Sequence, residues 1–244
     1  ILDVAPWLLS VEVDQGGGYA VNAQIKATGI EIETGVYISG INKDADGNVV
    51  SVSIADSPSE DAEIRTLPAD MVVFGAGIRP NDELARDADL ALGERGGILV
   101  NDACHSSDEH IWAIGEVACV LGRTWGLVAP ANAMADAVAA NLLNDNEEAQ
   151  VEEFDIATKL KFSGVQVAGF GDRRGTTEGC LEVLFADPAR GMYQKIVTSG
   201  DAKTLLGGVF VGDTAPFDSL KPLLGRELPA EPNVYLTAAG GGDG

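Results

Sequence analysis

Met71-Val72-Val73-Phe74-Gly75-Ala76-Gly77-Ile78-Arg79-Pro80-Asn81 is the stretch that decides the fold: four apolar residues without alternation, then two glycines and a turn. Such a run reads as a strand buried on both faces, the habit of parallel sheets covered by helices. The same grammar continues downstream, with a short helix capped by Asn81 or Asp82, a strand at Gly96 to Val100, and a polar turn containing His105 and His110. Ile111-Trp112-Ala113-Ile114-Gly115-Glu116 reads as a second buried strand, ending on a glycine and a carboxylate. In the helix expected from Pro130 to Leu143, Ala131, Met134, Ala135, Val138 and Leu142 recur three and four residues apart, forming one apolar stripe. Upstream, Ile1 to Val4 is a strand with Asp3 near its end, Gln15 to Thr28 is a helix stopped by Gly29, and Ile30 to Ile41 alternates as a strand. Asn42 to Asn48, carrying Asp46-Gly47, turns into Val49 to Ile54; an acidic loop, Asp56 to Glu63, then precedes Ile64 to Leu67. Strands and helices alternating through short loops predict an α/β fold, doubly wound, with a mainly parallel sheet.

Asn144 to Glu153 is acidic and turn-prone, the best domain boundary in the chain. Beyond it Lys159 to Phe170, Cys180 to Phe185, Met192 to Thr198 and Leu205 to Val211 are strand-like, and only Asp218 to Leu224 is helical, which predicts a small α+β domain. The tail from Glu231 to Gly244 is glycine-rich and reads as a flexible linker.

The 244 residues are 45% hydrophobic, enough for a real core and too much for a disordered chain. Their formal charge of −22 repels phosphate backbones and anionic headgroups, which excludes nucleic-acid and membrane-surface functions. Only 7 of the 16 basic residues are lysine, and an acidic, lysine-poor surface suits a saline environment in which self-repulsion is screened. No apolar run reaches the roughly 18 to 20 residues that cross a bilayer, and Ile1 to Pro6 lacks a basic segment or cleavage site, so the expected location is the cytoplasm. The chain opens in mid-strand without a methionine, so a preceding segment is expected. Cys104, Cys119 and Cys180 form no C-x-x-C, and read as small buried hydrophobes with no disulfide framework or metal set.

Ligands of doubly wound sheets bind beyond the carboxyl ends of the strands, where glycines admit the backbone and helix starts face the ligand. Three places fit. Asp3 ends a strand before a turn, where its carboxylate would accept from ribose hydroxyls; as a solvated strand-end acid it needs no ligand, and no G-x-G-x-x-G precedes it in the chain. Gly75-x-Gly77-x-x-Pro80-Asn81 makes a turn narrow enough to sit against a flat ring, although glycine turns after strands are common. Glu116 at a strand tip suits a polyol hydroxyl and equally suits a helix cap, while the helix start near Pro130 turns free N–H groups toward an electron-rich carbonyl. His105 and His110 read as solvated, Trp112 and Trp125 as packing beside the core or a pocket, Arg79 as an ion pair or phosphate contact, and Arg173-Arg174 as a basic spot open to docking.

Taken together, the stretches from Ala69 to Asn81, Gly96 to Asp102, Ile111 to Ala118 and Gly126 to Leu143 resemble the pyridine-nucleotide-dependent flavoprotein reductases with two dinucleotide-binding domains. Gly115-Glu116, where that superfamily usually has Gly-Asp, followed by Gly126-Leu127-Val128-Ala129-Pro130, is similar to the large subunit of assimilatory NAD(P)H-dependent nitrite reductase. Thr158 to Asp172 and Lys203 to Thr214 are similar to that family's small domain, a relative of which occurs in rubredoxin reductases. The resemblance implies partial Rossmann-like FAD- and NAD(P)-binding domains: residues 1–95 for NAD(P), 96–146 for the end of the FAD domain, 150–232 for the small domain and 233–244 for the linker. It implies that Asp3 meets the ribose of NAD(P)H and that Gly75 and Gly77 lie beside that cofactor. Gly115 and Glu116 would meet the ribityl chain of FAD, and Val128, Ala129, Pro130 and Ala131, through Ala133, its pyrimidine edge. No side chain would act as an acid or base, and no metal would bind. Iron-sulfur and siroheme centres, which reduce nitrite to ammonia, and a small subunit as partner would lie outside these residues, leaving the isolated chain inactive. Two other readings stand beside this one: a stand-alone reductase for rubredoxin or ferredoxin, and a non-catalytic domain used for assembly.

Overall fold

A computed structural model of the chain describes residues 1–244 apart from 144–148, 153, 155, 163 and 237–244. Its compact units are residues 1–73 with 156–244, and residues 74–155.

In the first unit, β1 (Leu2–Asp3) pairs in parallel with β2 (Glu33–Thr34), and α1 (Gln15–Ala27) runs between them. Asp14 caps α1, accepting at 3.0 Å from the Gly17 amide. The three glycines that follow are a packing requirement: a β-carbon on Gly16 would strike the Tyr193 ring, on Gly18 the Trp7 indole, and on Gly17 would lie 2.9 Å from Val13 Cβ. Gly35, at φ +70°, interrupts the strand expected from Ile30 to Ile41, so that β3 (Tyr37–Lys43) starts anew. With β4 (Val49–Ala55) and β5 (Ile64–Pro68) it makes an antiparallel sheet whose inner face buries Val52 and Ile54.

The run Met71 to Phe74 departs from expectation. It is neither a strand nor buried: Met71 is 78% exposed and Val73 83%. A doubly buried strand needs hydrogen-bonded neighbours on both edges, and among the described residues no strand pairs with it.

Residues 156–236 complete the first unit. β9 (Thr158–Phe162), β10 (Val165–Gly171), β11 (Leu181–Asp187), β12 (Met192–Thr198) and β13 (Leu205–Val211) form one antiparallel sheet in the order β11-β12-β13-β10-β9, so the expected strand from Lys159 to Phe170 is two. One face packs Val165, Val167, Tyr193, Val209 and Val211 on Val13, Val21 and Ile25 of α1 and the turn before it. The other carries Phe170, Ile196 and Phe210 against Phe217 and Leu220. The helix expected from Asp218 to Leu224 starts earlier, as Ala215–Leu220 with a tighter turn at Lys221–Leu223, because Pro216 suits a first helical turn. Part of the expected linker is ordered too. Pro232–Leu236 is a 3-10 turn with Pro232 and Leu236 buried, while residues 237–244 lie outside the described set.

The second unit holds α2 (Glu83–Asp87), β6 (Ile98–Leu99), β7 (Ala118–Val120), β8 (Arg123–Thr124) and a long helix, α3 (Val128–Leu143). Residues 74–95, which the sequence groups with 1–73, cluster here because Leu92 bridges Ile98 and Asp82 bonds Gly97. The stretch Ile111 to Glu116 is not the buried strand expected. The parallel partner of β6 lies further on, with Ile98 opposite Ala118 and Leu99 opposite Cys119; among the described residues Ile111 to Ile114 keep only a bridge from Trp112 to His105, with Ala113 buried and Ile111 and Ile114 exposed. Among the described residues parallel pairing is confined to β1–β2 and β6–β7, and the other ladders are antiparallel; the mixed α/β class holds, but a mainly parallel sheet does not.

Candidate functional site

Within residues 74–155 the structure brings together three of the predicted elements. The loop from Gly75 to Asn81 has no regular secondary structure and is largely exposed, with Gly77 at φ +85°. Ile78 anchors it: a β-carbon on Gly126, two residues before α3, would lie 3.1 Å from Ile78 Cδ1. Gly115, at φ +79°, opens a 3-10 turn, Gly115–Val117, which packs against α3 and carries the exposed carboxylate of Glu116.

The first turn of α3 is Val128, Ala129 and Pro130, with Ala131 following. The leading N–H groups of a helix have no partner inside it, and Pro130, buried and lacking an N–H, is tolerated only in such a first turn. Val128 and Ala129 are exposed, and α3 packs beside the Glu116 turn. Nothing lies within 4 Å of where a β-carbon would sit on Gly75, Gly77 or Gly115. Ile78, Ile114, Leu127 and Val128 nearby are all exposed apolar side chains. Open glycine backbone flanked by uncovered apolar groups, a carboxylate and a helix start is a surface suited to a flat ring system with a polyol tail.

Asp3 belongs to the other unit and is considered by itself. It is half-buried at the end of β1, and its Oδ1 accepts at 2.9 Å from the Ala5 amide, which fixes the carboxylate in an Asx turn. Arg79 is exposed. Of the histidines, His110 is exposed beside Glu109, whereas His105 is half-buried against Trp112 with ring centroids 4.4 Å apart. Trp125 is core, donating at 3.1 Å to the Val120 carbonyl with Arg123 over its ring. Burial pushes the Cys104 and Cys119 thiols up, away from thiolate chemistry. No metal-holding group of histidines, cysteines and carboxylates occurs among the described residues.

Arg173-Arg174 is not a free basic spot. Arg173 is 7% exposed, bonds Glu12 at 2.7 Å and donates to the Ile156 carbonyl, while Arg174 donates to the carbonyl of Ser10. Both arginines are spent tying the segment before α1 to the antiparallel sheet.

Two groups escaped the sequence reading. Lys195 is 2% exposed and bonds Asp14 at 2.7 Å and Glu182 at 2.9 Å, and Tyr193 donates to the same Asp14 oxygen at 2.7 Å. The signal was the Asp14-Gln15-Gly16-Gly17-Gly18 helix start, which only close packing explains. Asp82 is the second. It is the residue before α2, yet its carboxylate does not cap that helix; it accepts instead from the Gly97 amide at 2.7 Å and from Arg86 at 3.0 Å. Those bonds, the Gly97 one first, hold its carboxyl below the usual range.

Glycine turns opening on a helix start, in a chain that also carries a five-stranded antiparallel sheet, are consistent with the class of dinucleotide-dependent oxidoreductases. The sequence profile of the pyridine nucleotide-disulphide oxidoreductases matches residues 1–140, more than half of the chain, and the chain belongs to that family. The profile of the rubredoxin NAD+ reductase C-terminal domain matches residues 157–228. Over 241 residues the chain is 38% identical to the nitrite reductase [NAD(P)H] large subunit of Klebsiella oxytoca, covering 98% of this chain and 24% of that protein. It is 35% identical to the nitrite reductase (NADH) large subunit of Escherichia coli, over all of this chain and 28% of that one. It therefore spans about a quarter of the length of these relatives. Among solved structures, an NAD-dependent persulfide reductase from A. fulgidus superposes with a TM-score of 0.74 at 22% identity, over 93% of this chain and 44% of the other, a likeness of fold.

Proposed function

We propose that the chain is the electron-input module of an NAD(P)H-dependent nitrite reductase, in which residues 115–116 and 128–131 lie against FAD, Gly75 and Gly77 beside NAD(P)H, and Asp3 against the ribose of NAD(P)H. The observation that carries this reading is the meeting of open glycine turns, the Glu116 carboxylate and the exposed start of α3 on one apolar surface. A side chain at Gly77 or Gly115 would fill the space that a planar ring needs. Bound there, the flavin and nicotinamide supply hydride transfer, and the flavin's capacity to release electrons singly.

The residues of the chain bind and polarise. Glu116 accepts from ribityl hydroxyls. The amides of Val128 and Ala129, with the positive end of the α3 dipole, favour an electron-rich carbonyl by about 0.3 to 1 kcal/mol, or about 2 if partly buried. The fixed carboxylate of Asp3 accepts from ribose hydroxyls and repels a 2′-phosphate, which favours NADH. Electrons leave for iron-sulfur and siroheme centres held by other parts of a longer protein, where nitrite becomes ammonia, with a small subunit as partner. The residue groups 1–95, 96–146 and 150–232 then correspond to NAD(P), FAD and small domains in a cytoplasmic enzyme. No described helix is long and apolar enough to cross a membrane.

A second reading, a rubredoxin or ferredoxin reductase, is favoured by the match at residues 157–228. The test is an anaerobic titration of the longer protein containing this chain. NADH should bleach its flavin and nitrite restore the colour, and Glu116→Leu should lower flavin content. A protein reoxidised by rubredoxin but not by nitrite supports the second reading, and one with no flavin defeats both.

A further inference from the structure

We propose that Asp82 is a positioning residue, one that holds the Gly75–Asn81 loop in register with the turn carrying Glu116 by way of Gly97. The inference rests on the cofactor surface assigned above and adds the element that fixes its two halves. Asp82 ends the loop, is 7% exposed and makes no capping bond to the amides of α2. Its Oδ2 accepts at 2.7 Å from Gly97 and its Oδ1 at 3.0 Å from Arg86. Gly97, at φ +83°, is a joint between three segments. A β-carbon there would lie 2.7 Å from Thr124 Cγ2, 3.0 Å from the Val117 carbonyl and 3.5 Å from Pro80 Cγ. Pro80 belongs to the loop, and Val117 to the same 3-10 turn as Glu116. Asp82 thus clamps a residue that lies against both segments.

The loop's other anchor, Ile78 against Gly126, is apolar contact and tolerates sliding; the hydrogen bond from Gly97 is directional and does not. Removing the acceptor orphans a buried amide and frees the loop to shift against the Glu116 turn. A misplacement of about 1 Å between reacting groups costs about a hundredfold in rate.

The experiment has two arms. In the flavin-loaded longer protein, rapid-mixing kinetics of flavin reduction by saturating NADH should slow at least tenfold, and up to about a hundredfold, in Asp82→Ala. Asp82→Asn keeps an oxygen for Gly97 and should stay within threefold, and Arg86→Ala, which leaves the Gly97 bond intact, within twofold. Reoxidation of chemically reduced flavin should be unchanged in all three, a split that general loosening would not give. In the 244-residue chain, hydrogen exchange should accelerate together at residues 75–81 and 115–117 in Asp82→Ala. Exchange confined to residues 82–97, or an Asp82→Ala rate equal to wild type, overturns the proposal. If Asp82→Ala does not fold, Asp82→Ser and Asp82→Asn replace it: the rate should fall in step with loss of Gly97 amide protection, and a rate that does not track that protection refutes the clamp. A wild-type protein without flavin would instead sink the cofactor reading, leaving the exchange arm to decide on the clamp.

Discussion

Replacing Lys195 by methionine isolates the buried ion cluster that joins α1 to the antiparallel sheet. The ammonium is 2% exposed and lies between Asp14, 15% exposed, and Glu182, 43% exposed. Breaking a buried pair by removing one partner costs about 3 to 5 kcal/mol, because the other charge is left uncompensated. An exposed pair is worth about 0 to 1 kcal/mol. Glu182 has water to turn to and contributes little, so the cost falls on Asp14. That carboxylate keeps the Tyr193 hydroxyl and the Gly17 amide, which places the loss at the lower end, about 3 kcal/mol. At about 2 to 4 °C per kcal/mol for a domain of this size, the unfolding midpoint should fall by about 6 to 12 °C. Urea titration followed by hydrogen exchange in the peptide spanning β12 and β13 reads this unit alone. Adding Asp14→Asn, which still caps α1, should recover part of the loss because the stranded charge is gone. A Lys195→Met chain within about 1 kcal/mol of wild type, or a double variant worse than the single, refutes the reasoning.

Arg173→Ala should destabilise the same unit by about 3 kcal/mol, since it leaves the Glu12 charge with only the Thr158 hydroxyl and the Ile156 carbonyl without this donor; equilibrium unfolding checks this. Gly97→Ala should cost the unit of residues 74–155 at least about 1 to 2 kcal/mol from its left-handed backbone alone, before its contacts with Thr124 and the Val117 carbonyl, and thermal unfolding of Trp125 fluorescence reports it. Burial works to raise Asp172, but bonds from the backbone and hydroxyls of Thr176 and Thr177 outweigh it and hold its carboxyl far below the usual range. Because the folded value is depressed, this contribution is complete above the unfolded value of about 4 and is lost as pH falls below it. Relative to the intrinsic exchange rate at each pH, protection of residues 172–177 should therefore fall on acidification below about pH 4 in wild type, and be independent of pH in Asp172→Asn.

The glycine-and-apolar grammar made the class of fold legible and placed α1 and α3 within two residues of their starts. The same grammar misread Met71 to Phe74 and Ile111 to Glu116, because an apolar run states a preference for burial, not the presence of a partner strand. Pairing is set elsewhere in the chain, and here β6 takes Ala118–Cys119 instead. The candidate site was legible where glycine or a helix start carried it. Asp82 was not, since a carboxylate before a helix reads as a cap, and only the fold shows that Gly97, 15 residues away, takes the oxygen. Arg173 and Lys195 were hidden for the same reason: their carboxylate partners lie more than 160 residues away or across a strand pair.

The most direct test of the cofactor surface is hydrogen exchange of the longer protein with and without FAD and NADH. Protection should appear at residues 75–78, 114–117 and 127–131, and should be absent from residues 172–177 at the far end of β10. Protection lying elsewhere, with those three segments exchanging at the same rate in both samples, would contradict the account.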